Sequence, residues 1–532
     1  NMAIDPSPRW VFSTETLSVS TIPSPDGIPY AQQGLANLVL EHKQIDGSDS
    51  VRVTVSSAED WALNAARGYH LDGRPARLIR FLSGTVLERS RVQIEGTIEK
   101  TQYGDPRKPD TVSFTIKRNA LRDAETIPPP ANVIDNTTFP ADANNTVDQE
   151  TLGAFYPIVI GAPGSTNLSA LLPYPVPATP APCGERETYL TNRYVIAGHR
   201  VQASYVHFYN LDVSTTEGQP RPVLTGSDNL GQPISLVIGT TISALGGEDG
   251  NQYYVGWRDD AQYGGGLIDD SGGFIRGAGT VLQYFLNTYC PKIKVNTAQI
   301  EAHKGFLDTF YIDCMINAQI SAWAFIEQLV KILPVRLVDD SDGVWLQPWR
   351  QTATPGDVRM GLVNGSNVER VSPIKGRGGQ RYNQIVVRYQ PVRQTGQYYK
   401  TIAISSEDGK WKVGPSHLLD VRVYGDFACT LSQELHGVRE LELQLPWIWD
   451  DATAVAIARD HAAAYALEKR GVEYIGGTFL EGLRPGDVVL LTDSDLHLSE
   501  VYARVDVIVV GGSQTGIDLT LLDDPTLLNL AT

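Results

Sequence analysis

Between Arg91 and Lys100, Val92, Ile94, Gly96 and Ile98 alternate with Gln93, Glu95, Thr97 and Glu99. A period of two turns one face of a strand inward and the other to water. Alternating or β-branched runs recur at Ala36 to Glu41, Ser50 to Ser56, Ala76 to Leu82 and Thr111 to Lys117, parted by the turn residues Asp46-Gly47, Asp72-Gly73 and Gly104-Asp105-Pro106. Residues 1–128 therefore read as a small barrel or sandwich behind a polar arm, Asn1 to Val11. Pro128, Pro129 and Pro130 close the unit, because proline neither donates to a ladder nor continues a helix.

Residues 129–275 read as a Pro/Gly-rich linker and β insertion. It holds a polar stretch from Asn132 to Gln149, a Pro-rich run from Leu172 to Pro182, and strands at Tyr194 to Ile196, Val201 to Tyr209 and Ile234 to Ile242. The period changes in residues 276–360. Val281, Leu282, Phe285 and Leu286 predict a short helix from Thr280, its cap, to Asn287. Ala322, Phe325, Ile326, Leu329, Val330 and Leu333 predict a second helix between Ser321 as cap and Pro334 as stop. Leu337-Val338 and Val344-Trp345-Leu346 then pair across a turn containing Asp342-Gly343.

In residues 361–532 strands are predicted at Asn383 to Tyr389, Thr401 to Ser405, Leu419 to Tyr424 and Glu440 to Leu445. A helix over 451–470 follows, with acids at its start, Lys469 and Arg470 in its last turn and Gly471 as its stop. The strand Val472 to Phe479, the Pro485-Gly486 turn into Val488 to Leu491, and a hairpin of Arg504 to Val510 with Gly516 to Leu522 complete the chain. The fold class expected is β-rich α+β and multidomain, with two β-barrel-like domains separated by an α+β module and an insertion.

A chain of 532 residues exceeds what one core usually supports, and 49 Gly with 32 Pro suit a turn-rich protein. The net charge of −17 is the wrong sign for gripping phosphate backbones. It fits either plain solubility or a wall past which a polyanion slides. Cys183, Cys290, Cys314 and Cys429 lie far apart with no CxxC pair and are expected to be buried thiols. No run approaches the roughly 20 apolar residues of a membrane span, and Asn1 to Trp10 holds no apolar signal region, so a soluble protein made in a cytoplasm is expected.

Candidate chemistry is thin. Nine histidines are scattered singly, with no HExxH, so no metal site is assigned, and His461, within its helix, is expected to be a surface or boundary residue. Asp493-Ser494-Asp495-Leu496-His497 lacks the glycine and distal glutamate of a calcium loop and reads as a solvated hairpin. Cys183 with His199 and His207 is the one arrangement that a cysteine hydrolase would need. Lys375-Gly376-Arg377-Gly378-Gly379 lacks the Lys-Ser/Thr of a phosphate loop and reads as a turn or subunit contact. The loop from Gly246 to Gly273 sets Tyr253, Tyr254, Trp257 and Tyr263 among Asp259, Asp260, Asp269 and Asp270. Such a loop suits either a subunit contact or the stacking of sugar rings. No catalytic, cofactor or metal residue is assigned.

The Ala-rich helix from Asp451, the strand after it, the turn Leu483-Arg484-Pro485-Gly486-Asp487-Val488-Val489 and the closing hairpin resemble the C-terminal part of the baseplate hub or tail-tip hub proteins of tailed bacteriophages. Asn383-Gln384-Ile385-Val386-Val387-Arg388-Tyr389 looks like the strand that opens the same domain, and Thr280 to Pro348 is similar to that family's helical segment. The likeness covers the last half of the chain and, more loosely, Ala36 to Ala124. It implies two tube-like hub domains per chain and a homotrimeric ring without enzymatic activity. Such a ring adapts a hexameric tail tube to a central spike or fibre, beside a distal tail protein and a tape measure protein, and genome DNA passes through it. The location implied is the distal end of a virion tail, after synthesis in the host cytoplasm. The alternative from another class is a cell-wall or polysaccharide hydrolase or glycan-binding tail protein that uses residues 246–273.

Overall fold

The computed structural model describes residues 10–13, 31–42, 50–56, 72–80, 91–105, 108–117, 125–139, 152–163, 176–177, 179–180, 193–203, 205–210, 219–228, 230–238, 253–256 and 266, and residues 274–522 apart from 292, 341–342, 378–380, 393–396, 408–419 and 512–513. The first strands are β1 (Ala31–His42), β2 (Ser50–Ser56), β3 (Pro75–Arg80), β4 (Arg91–Asp105) and β5 (Lys108–Lys117). In the insertion come β6 (Ile158–Ile160), β7 (Arg193–Ala197), β8 (Tyr205–Asn210), β9 (Gln219–Ser227), β10 (Pro233–Ile238) and β11 (Tyr253–Gly256). Next are α1 (Ala278–Tyr289), α2 (Thr297–Leu307), β12 (Cys314–Ile316), α3 (Ala322–Ile332), β13 (Val335–Asp340) and β14 (Gly343–Pro348). The chain continues with β15 (Val358–Val363), β16 (Val368–Arg370), β17 (Lys375–Gly376), β18 (Gln384–Val392), β19 (Gln397–Ser405), β20 (Asp420–Gly425), α4 (Phe427–His436) and β21 (Glu440–Leu445). It closes with α5 (Asp451–Tyr465), β22 (Arg470–Gly476), β23 (Val488–Asp493), β24 (Leu498–Gly511) and β25 (Gln514–Leu521). The architecture is β-rich, with five α-helices among the described residues.

The two ends of the chain share one sheet. Its order is β16-β22-β25-β24-β1-β2-β5-β4-β3, with β15, β17, β23 and Trp10–Ser13 paired off that path. The seam is short: Leu40, Glu41 and His42 of β1 lie antiparallel to Val510, Val509 and Ile508 of β24. Strand β24 changes partner along its length, pairing with β23 up to Arg504 and with β1 from Ile508. An irregularity at Asp506 falls between the two, where Val505 faces Leu519 and Val507 faces Asp518. An extra residue of this kind bends and twists the strand. It also resets the phase, so Ala503 and Val505 point into the core on one side of it and Ile508 on the other.

The helices pack with the mixed sheet β20-β19-β18-β21 into one apolar core that runs from Ile127 to Ala466 and so crosses position 360. Ile385, Val387 and Tyr389 of β18 face it at every second position, and Gln384, Val386 and Gln390 on the strand's other face are buried as well. Phe285 of α1 meets Phe325 of α3 at 4.7 Å between ring centroids, and Phe325 meets Trp447 at 5.4 Å, which ties the helical segment to the sheet. Burying each such ring contributes on the order of 2–3 kcal/mol. A second core lies inside the last sheet, where Tyr474, Val489, Leu491, Ala503 and Leu519 are fully buried. The Pro-Gly turn is pinned beneath it. Gly486 has φ +94°, and a Cβ there would sit 2.3 Å from Gln347 Cγ, so only glycine fits.

Several expectations shift. The helix predicted over 451–470 stops at Tyr465, and Gly471 is not its stop but a strand residue opposite Thr520. Thr280 does not cap α1, which starts at Ala278; its N–H and hydroxyl donate to the Asp308 carboxylate at the end of α2, at 2.8 and 2.7 Å. Ser321 stands at the N-cap of α3 but forms no cap bond with its side chain. Ile134 and Phe139, within the stretch read as polar linker, are buried in a small cluster with Tyr156. The insertion's β6 pairs with β12, and Asp313 beside it anchors the join. Its buried carboxylate accepts from Arg276 Nε at 2.7 Å and from the Ala162 N–H at 2.7 Å.

Candidate functional site

A cleft of about 790 Å³ lies where α3 and the start of β13, α5 with the segment after it, and the outer face of β24 and β25 meet. Its side chains include six bases, Lys331, Arg336, Arg377, Arg381, Lys469 and Arg504, and four acids, Glu327, Asp460, Glu468 and Asp506. In a chain of net charge −17 this is a local excess of positive charge. Trp323, Trp349 and Tyr465 supply its rings.

The bulge in β24 builds the floor. With Val505 held in the core, Arg504 and Asp506 both point out into the cleft, and Arg504 Nε donates to Asp506 at 3.0 Å. A second guanidinium nitrogen of Arg504 donates to the Arg350 carbonyl at 2.9 Å, while its charge lies 4.0 Å from the centre of the Trp349 ring. Asp506 also accepts from the Thr520 hydroxyl and pairs with Arg377 at 3.4 Å. Arg377 reaches this point because β17 pairs with β22 and Gly471 has no side chain: a Cβ there would lie 2.3 Å from Arg377 Nε. The same guanidinium donates to Asp518.

The rim differs. Arg336 lies 4.8 Å over Trp349, and among the described residues its guanidinium has no hydrogen-bond or ion-pair partner. Arg336 is exposed at the rim, where the packed protein beside it pulls its pKa down and Tyr465 and Asp506 oppose the shift. Lys331, in the last turn of α3, is exposed. Opposite, Arg381 pairs with Glu468 at 2.6 Å. Burial raises the Asp460 carboxyl to about 7, although Arg504 and Lys469 pull the other way. His461 Nδ1 donates to the Ile457 carbonyl at 2.9 Å, and burial lowers its pKa. Among the described residues no thiol or serine hydroxyl lines the cleft, and the Thr520 hydroxyl is engaged with Asp506. The arrangement suits charge recognition by guanidinium groups, whose planar forks match oxyanions.

The candidates named from the sequence lie elsewhere. Residues 253–256 of the aromatic loop form β11, which pairs with β8, and Gly266 is also described; Trp257, Asp259, Asp260, Tyr263, Asp269 and Asp270 fall outside the described residues. Cys183 does too. The nitrogen His199 would use as a base is occupied: Nε2 accepts from the Val159 N–H at 3.0 Å, Nδ1 donates to the Arg200 carbonyl, and burial lowers its pKa to about 4. The solvated hairpin expected at 493–497 holds for Ser494, Asp495 and His497, which are exposed in the turn between β23 and β24, but not for Asp493. Asp493 is fully buried and accepts from the Tyr474 hydroxyl at 2.7 Å and from Asn364 Nδ2 at 3.2 Å. Arg377 lay within the glycine-rich run read as a turn, but nothing in the sequence pointed to Arg336, Asp460, Arg504 or Asp506, which are distant in sequence and share no motif. Among the described residues no group of three or more His, Cys, Asp and Glu could hold a metal ion, and no helix is long and apolar enough to cross a membrane.

No protein-family model matches the chain, and no curated protein sequence matches it. Among solved structures it is similar to a tail protein from Neisseria meningitidis MC58, at 9% identity and TM-score 0.34, over 93% of this chain and 94% of that one. It is similar to the 43 kDa tail protein of prophage MuSo2 from Shewanella oneidensis, at 12% identity and TM-score 0.35, over 93% and 94% of the two chains. A chain of the native gene transfer agent virion matches at 11% identity and TM-score 0.38, over 67% of this chain and 86% of that one.

Proposed function

We propose that this protein is a structural subunit of a phage tail, the hub of the tail tip or baseplate, and that it works by assembly. The observation that carries the reading is the seam in which β1 and β24 join the first and last β units edge to edge. A chain that already sets two sheet-built units side by side needs only a contact that repeats around an axis to close a ring. Three copies then present six such units to a hexameric tail tube, with the distal tail protein and tube ring on one side and the central spike or fibre and tape measure protein on the other. The surplus of acidic residues suits a channel through which DNA passes without adhering. The protein then belongs at the distal end of the virion tail.

Native mass spectrometry and negative-stain imaging of the purified chain test this. The expected result is a particle of three times the 58.1 kDa chain mass with threefold averages around an open centre. A monomer at tens of micromolar that stays monomeric with tube protein present would refute it.

A further inference from the structure

We propose that the cleft between α3, α5 and β24 docks an acidic peptide segment of a neighbouring protein, with Arg336 and Lys331 receiving its carboxylates. The proposal stands apart from the ring reading, since it asks only what enters the cleft.

Three observations support it. The arginines of the floor are already committed: Arg504 to Asp506, and Arg377 to Asp518 and Asp506. Arg336 is different, because stacking on Trp349 fixes its plane while its N–H donors have no hydrogen-bond or ion-pair partner among the described residues. A guanidinium held by an aromatic face is pre-organised for a bidentate carboxylate. Arg336 is exposed at the cleft rim, so the donors that its stacking leaves free are open to an arriving carboxylate. The cleft volume of about 790 Å³ also exceeds what a lone ion fills and matches the usual range of ligand pockets.

Charge spacing separates a peptide from a nucleic acid. A phosphate polymer carries a charge at every step and would meet Glu327, Asp460, Glu468 and Asp506 in turn. A peptide places carboxylates only where its sequence puts them and offers amides and apolar groups elsewhere, beside Trp323 and Tyr465.

The test is fluorescence anisotropy with a fluorescein-labelled peptide of alternating glutamate and alanine at 20 mM salt, using the full chain. The net charge of −17 disfavours non-specific binding of this probe. Saturable binding is expected, weakened at least tenfold by Arg336→Glu and by Lys331→Glu and unchanged by Arg388→Glu, which alters a strand residue outside the cleft that pairs with Glu442. Lys331 is exposed, so its variant decides the matter if Arg336→Glu fails to fold. Absence of saturable binding up to 1 mM would overturn the proposal, as would equal affinity in the cleft variants. So would tighter binding of labelled oligothymidylate that is lost in the same variants.

Discussion

Replacing Asp460 by asparagine removes a charge that the folded chain disfavours. Asp460 lies on α5 at the cleft wall, where burial holds its carboxyl at about 7 against the combined pull of Arg504 and Lys469. In the unfolded chain an aspartate titrates near about 3.9. The folded state therefore binds this proton more tightly. The stability it contributes is complete below about pH 4 and is lost as pH rises to about 7, at about 1.4 kcal/mol per pH unit. Asparagine mimics the protonated form and does not titrate. From pH 5 to pH 8 roughly two units of that window are crossed, so the variant should gain about 2–3 kcal/mol on the wild type over that interval. Urea unfolding followed by tryptophan fluorescence at the two pH values measures the gain, and comparison at equal pH cancels titrations that both proteins share. An equal difference between variant and wild type at pH 5 and pH 8 would refute the assignment of a buried, proton-holding carboxyl to Asp460.

Asp313→Ala strips the buried carboxylate from Arg276 and from the Ala162 N–H, and should cost about 3–5 kcal/mol in urea unfolding. Replacing both partners with apolar residues, Arg276→Met with Asp313→Leu, should recover most of that loss. Gly471→Ala would put a methyl group 2.3 Å from Arg377 Nε and push that guanidinium off Asp518 and Asp506. The expected destabilisation is about 1–3 kcal/mol by the same assay, with Arg377→Ala relieving the clash when combined with it. Cys290, Cys314 and Cys429 are buried, and burial pushes the thiols of Cys290 and Cys429 up to about 11 and about 12. Native protein at pH 8 should therefore expose no more than one thiol, Cys183, to a disulfide reagent, and all four after unfolding.

Strands with a clean alternation, such as Ser50–Ser56 and Glu440–Leu445, were legible to the residue, and in the second one face is the more buried throughout. The hairpin of β13 and β14 was legible from its Asp-Gly turn. Two helices were not. In α2 only Ile300 and Leu307 are buried, and in α4 only Cys429 and Ser432, so neither has the apolar stripe that signals a helix. Helix α4 is instead defined at its ends, by the Asp426 carboxylate accepting from the Cys429 N–H and by Gly437 at φ +70°.

The cleft was illegible for a related reason, and the residue responsible is Asp506. Val505-Asp506-Val507-Ile508-Val509-Val510 holds apolar residues on both sides of a possible pleat, so its phase cannot be read from the chain. An unbulged strand would keep Ala503, Val505 and Val507 inward and turn Ile508 out. The extra residue turns Ile508 inward instead, leaves Val509 exposed, and lets the strand bend away from β23 to meet β1. One inserted position thus sets two things together: the seam that joins the ends of the chain, and the outward pair of Arg504 and Asp506 on which the cleft floor is built. A shift of register at β24 would alter the ring contact and the cleft at once, so the surface offered to a partner is tied to how the two β units are joined.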